Sequence, residues 1–277
     1  MKIKKTFIIA EAGVNHNGSL SRSLKMVDVA KNSGADAIKF QTFDASELSI
    51  KNAPLANYQK KQKFKNHFKL LKKLELSKKS QVKIKNYCDK KKILFLSSSF
   101  DIGSLKFLKS LKLKIFKVPS GEINNLPYLQ ELGSYNKKIF LSTGASNSQD
   151  IQSAIKALVS SGTKKKNITL LHCNSEYPTP MSDANLNAIN FLKSKFKLKT
   201  GYSDHTLGIE ASIASVALGA EVIEKHFTLN KKMKGPDHAT SISASQLLQL
   251  VKSIRHIELA LGKKDKFVTQ SEKKNKK

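Results

Sequence analysis

The segment from Phe7 to Phe43 opens with FIIAEAG (Phe7–Gly13), passes through LSRSLKMVDVAKNS (Leu20–Ser33) and ends in AIKFQTF (Ala37–Phe43). The outer pieces are short β-rich runs. The middle piece carries apolar residues at Leu24, Val27 and Ala30, the spacing of one helix face. Strand, helix and strand in this order form a βα unit whose two strands lie parallel. The rhythm continues outward, with strands expected at Ile93–Phe100, Ile115–Gly121, Lys138–Gly144, Ile168–Asn174, Lys199–His205 and Glu221–Thr228. That makes eight. Helical spacing is read at Ile102–Leu111, Leu126–Gly133, Gln149–Ser160, Leu186–Ser194, Ile209–Leu218 and Ala244–Leu261.

Eight such units in 277 residues predict a single α/β domain over residues 1–262, an eight-stranded β/α (TIM) barrel. An insertion separates the second and third strands: Asn52–Asn66 is polar and irregular, and helices are expected at Phe68–Leu76 and Ser80–Lys90. A long βα loop of this kind serves as a substrate lid. Residues 263–277 are Lys-rich without apolar periodicity and are read as a tail or linker stub.

The charge balance, 50 Lys+Arg against 21 Asp+Glu, raises nucleic acid as a partner. Only Arg22 and Arg255 are arginines and the lysines are scattered, so a specific nucleic-acid surface is not expected. The positive field would draw in a phosphorylated, carboxylated substrate. Cys88 and Cys173 are too few for a disulfide framework or a zinc site and suit a reducing cytoplasm. Glu11 interrupts the apolar start before it reaches signal-peptide length, and no stretch is long enough to cross a membrane.

In a β/α barrel the active site lies at the carboxyl ends of the strands. A lysine inside the buried strands IKFQTF and IFKVPSG breaks the aliphatic rule for parallel strands and needs an anionic partner. Lys39 and Lys117 would form a phosphate or carboxylate clamp, completed by the hydroxyls of Ser98, Ser120, Ser142 and Ser203. The alternative is that either lysine snorkels out between strands. His205 and His226 end adjacent strands and would meet at one divalent ion such as manganese. His16, His172 and His238 are secondary candidates, while His67 and His256 sit in helical stretches. Glu11, Glu122 and Asp237 are placed for acid/base work or for sugar hydroxyls. For Glu11 the alternative is simple pairing with Lys39 or Lys117. Tyr177, in the turn YPTP, would present its ring or hydroxyl to a sugar, and GPDHATS (Gly235–Ser241) would bend back over the barrel mouth.

The stretches IAEAGVNHNG, IKFQTF, FKVPSGEINN, FLSTGAS, LHCNSEYPTP, GYSDHTLG, EKHFT and GPDHATS, in that order between Ile8 and Gly262, resemble the N-acetylneuraminate (sialic acid) synthase family. The resemblance implies a barrel that condenses phosphoenolpyruvate with an N-acylated mannosamine-like sugar around manganese or magnesium. It assigns His205 and His226 as metal ligands and Lys39, Ser98, Lys117, Ser120, Ser142 and Ser203 as phosphoenolpyruvate contacts. Gln41, Glu122, Tyr177 and Asp237 become contacts to the acceptor sugar, with Asn174 and Ser175 beside them. Glu11 matches the family's essential first-strand glutamate.

Ser98 stands where some members have Thr, and Ser175 where one variant of the motif has Asn. Family members usually continue into an antifreeze-like domain that brings an arginine to the partner subunit's site. This chain is expected to end before that domain, so that the arginine is dispensable, another chain supplies it, or the protein is truncated or impaired; a homodimer or a separate chain carrying the antifreeze-like domain is the expected partner. LHCNSEYPTP points to the neuraminic and legionaminic branches, with pseudaminic acid synthase as the alternative within the class. A Schiff-base aldolase using Lys39 or Lys117 is a different enzymatic reading. An inactive barrel subunit that needs a partner domain is the non-enzymatic one.

Overall fold

The structure, a computed structural model, describes residues 5–51, 66–263 and 265–276. Most of the irregular insertion, residues 52–65, lies outside the described residues. Eight parallel strands close into a barrel: β1 (Phe7–Gly13), β2 (Ala37–Thr42), β3 (Leu94–Ser99), β4 (Ile115–Val118), β5 (Lys138–Ser142), β6 (Ile168–His172), β7 (Lys199–Asp204) and β8 (Val222–Thr228). Closure runs through β1 and β8, where Phe7 pairs with Val222 and Glu11 with His226. A ninth short strand, β9 (Ile242–Ser243), extends the sheet from β8 and was not expected from the sequence.

The helices are α1 (Leu20–Asn32), α2 (Ala45–Leu48), α3 (His67–Leu74), α4 (Lys78–Lys91), α5 (Ile102–Ser110), α6 (Leu126–Gly133), α7 (Ser148–Ser160), α8 (Ala188–Phe196), α9 (Glu210–Ala217) and α10 (Ala244–Ala260). Local chemistry sets their starts. Ser19 caps α1, and capping boxes open α7 (Asn147 with Asp150) and α10 (Ser243 with Gln246). Several strands stop earlier than sequence reading suggests: Pro119 follows the end of β4, and β6 ends at His172. Residues facing outward from the strands, such as Ile8, Ile38, Phe95 and Leu170, pack with α1, α4 and α8 into the main core.

Candidate active site

Successive side chains on a strand alternate between the barrel axis and the helix layer, so the interior is stacked in levels two residues apart. The lowest level is an apolar plug: Ile9, Ala37, Leu96, Phe140, Leu171 and Val222. Two residues further along the same strands stand Glu11, Lys39, Ser98, Ser142, Cys173 and Glu224, joined by Lys117 and Ser203. These form the floor of a cavity of about 340 Å³ that opens at the carboxyl ends of the strands. Polarity therefore switches on within one step of the pleat.

The floor is a closed charge network. Lys39 Nζ lies 2.9 Å from Glu11 Oε1 and 3.6 Å from Glu224 Oε2, and donates to Ser98 Oγ at 2.9 Å. Lys117 Nζ donates to Glu224 Oε1 at 3.1 Å, and Ser203 Oγ donates to the same oxygen at 2.8 Å. All six side chains are buried. Burial disfavours the ionised form of Glu224, but Lys117 and Lys39 outweigh it and hold the carboxyl well below its usual range. Burial likewise works against the Lys39 ammonium, and the carboxylates of Glu11 and Glu224 overcome it, raising its pKa. Glu11 goes the other way. Burial pushes its carboxyl up to about 8 against the pull of Lys39, and its Oε2 is buried with no hydrogen-bond partner. The two lysines thus hold Glu224 ionised, while burial shifts Glu11 towards its protonated form.

Above the floor, the rings of His205 and His226 stand 5.6 Å apart between centroids. The His205 Nδ1–H points at the backbone carbonyl of Asn174, which fixes the tautomer and leaves Nε2 to accept the Tyr177 hydroxyl at 2.8 Å. The Tyr177 ring stacks on His205 at 3.9 Å. His226 Nδ1 is buried without a hydrogen-bond partner, 3.8 Å from Asp237 Oδ2. Gly13, at φ +50°, gives His226 its room, since a Cβ there would meet the imidazole Cε1 at 3.2 Å. Burial lowers the pKa of both imidazoles, His205 to about 4 and His226 well below the ordinary value. Two neutral imidazoles, one with an orphaned nitrogen, are suitable donors for a borderline divalent ion. Among the described residues no three His, Cys, Asp or Glu side chains are grouped to hold an ion. An ion at this pair would therefore take its remaining donors from substrate or water.

The model of the NeuB family matches residues 26–266. The chain belongs to the NeuB family. The N,N'-diacetyllegionaminic acid synthase of Campylobacter jejuni is 50% identical over 99% of this chain and 82% of its own. The enzyme of the same name from Legionella pneumophila is 43% identical over 96% and 76%. Among solved structures, the N-acetylneuraminic acid (sialic acid) synthetase of Leptospira borgpetersenii superposes with a TM-score of 0.87 at 36% identity, covering 98% of this chain and 90% of its own.

In this NeuB member most residues expected from the sequence do converge. Glu11, Lys39, Gln41, Ser98, Lys117, Ser120, Ser142, Ser175, Tyr177, Ser203, His205, His226 and Asp237 all line the one cavity. Glu11 pairs with Lys39 through Oε1, and its Oε2 is left without a hydrogen-bond partner. Neither lysine snorkels. Burial pushes the Asp237 carboxyl up to about 6.

Glu122 and Asn174 stand apart. Glu122 closes a short 3-10 turn after β4 and accepts from Asn125 Nδ2 at 2.6 Å, which ties it to the start of α6 rather than to the cavity. The Asn174 side chain accepts from Glu176 N at 2.7 Å and lines a neighbouring cavity against α7 and α8, so only its backbone carbonyl serves the His pair. His172 donates to the Ala184 carbonyl. His238 lies between Thr228 and Asn17, whose side chain also donates to Lys234 O, and this polar clasp positions the Asp237 loop. Glu224, a polar residue at the end of the eighth strand, is the floor carboxylate to which the sequence reading gave no role. Its signal was the same as that of the lysines, a charge inside the buried run VIEKHFT.

Proposed function

We propose that the chain condenses phosphoenolpyruvate with the open-chain aldehyde of an N-acylated mannosamine-type sugar, giving a nonulosonic (sialic-acid-type) acid and phosphate. The observation that carries this reading is the floor, where two lysines and three serine hydroxyls face one cavity. Lys39 and Lys117 hold the phosphate and carboxylate through the reaction, an electrostatic role that costs no reorganisation because Glu11, Glu224 and Ser203 already fix them. The methylene carbon of phosphoenolpyruvate attacks the aldehyde carbon. Water adds to the resulting oxocarbenium carbon, and the tetrahedral intermediate expels phosphate with its bridging oxygen. Glu11, whose carboxyl burial pushes up to about 8 and whose Oε2 is free, supplies the proton at the aldehyde oxygen or the departing phosphate. Tyr177, Gln41 and Asp237 line the mouth where the sugar must lie. His205 and His226 would hold a divalent ion, manganese first and magnesium second, which when bound supplies Lewis-acid polarisation of the aldehyde.

Among acceptors we favour a diacetamido sugar of the legionaminic type, supported by 50% identity to the C. jejuni synthase. N-acetylneuraminic and pseudaminic products are the alternatives. The Schiff-base reading is disfavoured at Lys39, whose ammonium lies 2.9 Å from Glu11 and 3.6 Å from Glu224 and is raised in pKa by them against burial, whereas a Schiff-base amine must lose its proton. A reducing, cytoplasmic setting suits two buried free cysteines, Cys88 and Cys173, and no described helix is long and apolar enough to cross a membrane. A homodimer, or a separate chain carrying an antifreeze-like domain, is the partner we propose.

Incubation of the chain with phosphoenolpyruvate, manganese and a panel of N-acyl mannosamines and diacetamido hexoses, with products read by mass, tests the assignment. Phosphoenolpyruvate labelled at the bridging oxygen must pass its label to phosphate. Label retained in the sugar overturns the mechanism, and absence of phosphate release with every acceptor leaves only a binding subunit.

A further inference from the structure

The barrel strands are all parallel, so the segments that lead from a helix into the next strand gather at one end of the barrel, opposite the mouth of the cavity. From α4 to β7 five such connectors follow one another: KI (92–93), LKLK (111–114), SYNK (134–137), SGTKKKN (161–167) and KL (197–198). They hold eight lysines and no Asp or Glu, and Lys138 and Lys199 add two more as the first residues of β5 and β7. All ten are exposed, and of the ten only Lys199 has an ion pair, with Glu221 Oε2 at 3.5 Å. The loops at the other end of the same strands are the reverse, with Asp101, Glu122, Glu176 and Asp183 and no lysine. Helix dipoles favour cations in the last helical turn, but neither Lys114 nor the run at 164–166 nor the strand-opening lysines lie in one. Lys92, Lys112 and Lys197 moreover hold φ of +55°, +58° and +54°, where glycine or asparagine sits with less strain. The charge is carried there at a backbone cost.

We infer that this end of the barrel is a docking face for an anionic lipid bilayer, on which the molecule lies, without crossing it, with its cavity turned away from the lipid. Lysines gathered at one end of the molecule match a plane of anionic headgroups. Leu94 at the start of β3, and Leu259 and Leu261 at the end of α10, are 43%, 64% and 50% exposed at the same end, apolar side chains that enter the headgroup boundary. Single-stranded RNA, the other large polyanion, is held through exposed aromatic rings and planar guanidinium groups. Tyr135, the one aromatic residue of the five connectors, is buried, and the connectors contain no arginine. The acidic loops at the opposite end are repelled by the same surface, so the charge separation sets orientation as well as attraction. Small substrates then reach the cavity from the aqueous side.

Sedimentation of the full chain with phosphatidylcholine vesicles, with and without phosphatidylglycerol, tests the face at low and high ionic strength. Binding is expected to the anionic vesicles alone, and it should be lost at high salt. Lys164→Gln, Lys165→Gln and Lys166→Gln together should weaken it by about a hundredfold, about fivefold for each lysine. Lys137→Gln with Lys138→Gln, from a different connector, should weaken it by roughly twentyfold. The same triple change at Lys231, Lys232 and Lys234, exposed in the loop after β8 at the cavity end, removes equal charge and should leave binding within about twofold of wild type. Circular dichroism should show all three variants folded, so that a loss confined to one end is a loss of the face. Equal losses in the two triples, no binding to anionic vesicles at low salt, or equal binding to neutral vesicles would each overturn the docking face. Tighter binding to a single-stranded RNA oligonucleotide than to anionic vesicles would overturn it as well.

Discussion

Glu224→Gln is the most informative single change. The amide keeps the volume and still accepts the Ser203 hydroxyl, but it removes the carboxylate that lies 3.1 Å from Lys117 Nζ and 3.6 Å from Lys39 Nζ. At an effective dielectric constant of about 20, each of these attractions is worth about 5 kcal/mol before the cost of desolvation is set against it. Removing one partner from a buried ion-pair network costs about 3–5 kcal/mol net, because the remaining charges stay buried and unpaired. At roughly 2–4 °C per kcal/mol for a domain of this size, Tm should fall by roughly 6–20 °C. The same logic makes the loss repairable. An anion that enters the floor replaces the missing carboxylate, so phosphoenolpyruvate or inorganic phosphate should raise Tm of the variant by more than it raises that of the wild type. Thermal melts with and without phosphoenolpyruvate read both quantities. A fall of under about 2 °C, or identical ligand shifts in the two proteins, would refute the view that Glu224 stands in for the substrate's charge in the free site.

Glu11 sets the pH response. Its folded pKa of about 8 lies above its ordinary 4.5, so its contribution to stability is complete below about 4.5 and is lost as pH rises to about 8. Ionisation also adds a negative charge beside Lys39, so KM for phosphoenolpyruvate should rise through pH 8 in the wild type and stay flat in Glu11→Gln, as steady-state kinetics would show. Outside the barrel wall, Lys225 Nζ pairs with Asp204 Oδ2 at 2.9 Å and donates to Thr206 O at 2.6 Å. Lys225→Met should destabilise by about 3–5 kcal/mol and the double change with Asp204→Asn by less, measured as a urea double-mutant cycle. Borohydride with pyruvate should trap no adduct on Lys39 or Lys117, read by intact mass. A covalent adduct at either would restore the Schiff-base reading.

The fold was legible because eight βα units repeat one periodicity, and the floor was legible because a charge inside a doubly buried strand is expensive unless it serves something. Lys39 and Lys117 announced themselves this way. Glu224 carried the same signal and was lost among its neighbours in VIEKHFT, where Lys225 and His226 compete for notice. Only the pleat separates them: Glu224 and His226 face the axis, and Lys225 faces the helix layer, where Asp204 answers it.

Glu122 and Asn174 show the complementary limit. Both stand just past the strand ends in matching motifs, but β4 stops at Val118 and β6 at His172. Beyond those points the alternation of facing no longer holds, and local turns decide where a side chain goes. Asn125 draws Glu122 into the start of α6, and the Asn174 side chain folds onto the backbone of Glu176. The upper wall of the cavity was hidden for a third reason. Phe43 and Phe100 continue the inward register of Lys39 and Ser98, yet an aromatic at a strand end reads as ordinary core until α3 is seen to leave one side of the pair facing the cavity. Lys39 and Ser98 thus lie in the polar floor and Phe43 and Phe100 in the apolar rim above it, two levels of one cavity set by the same inward register.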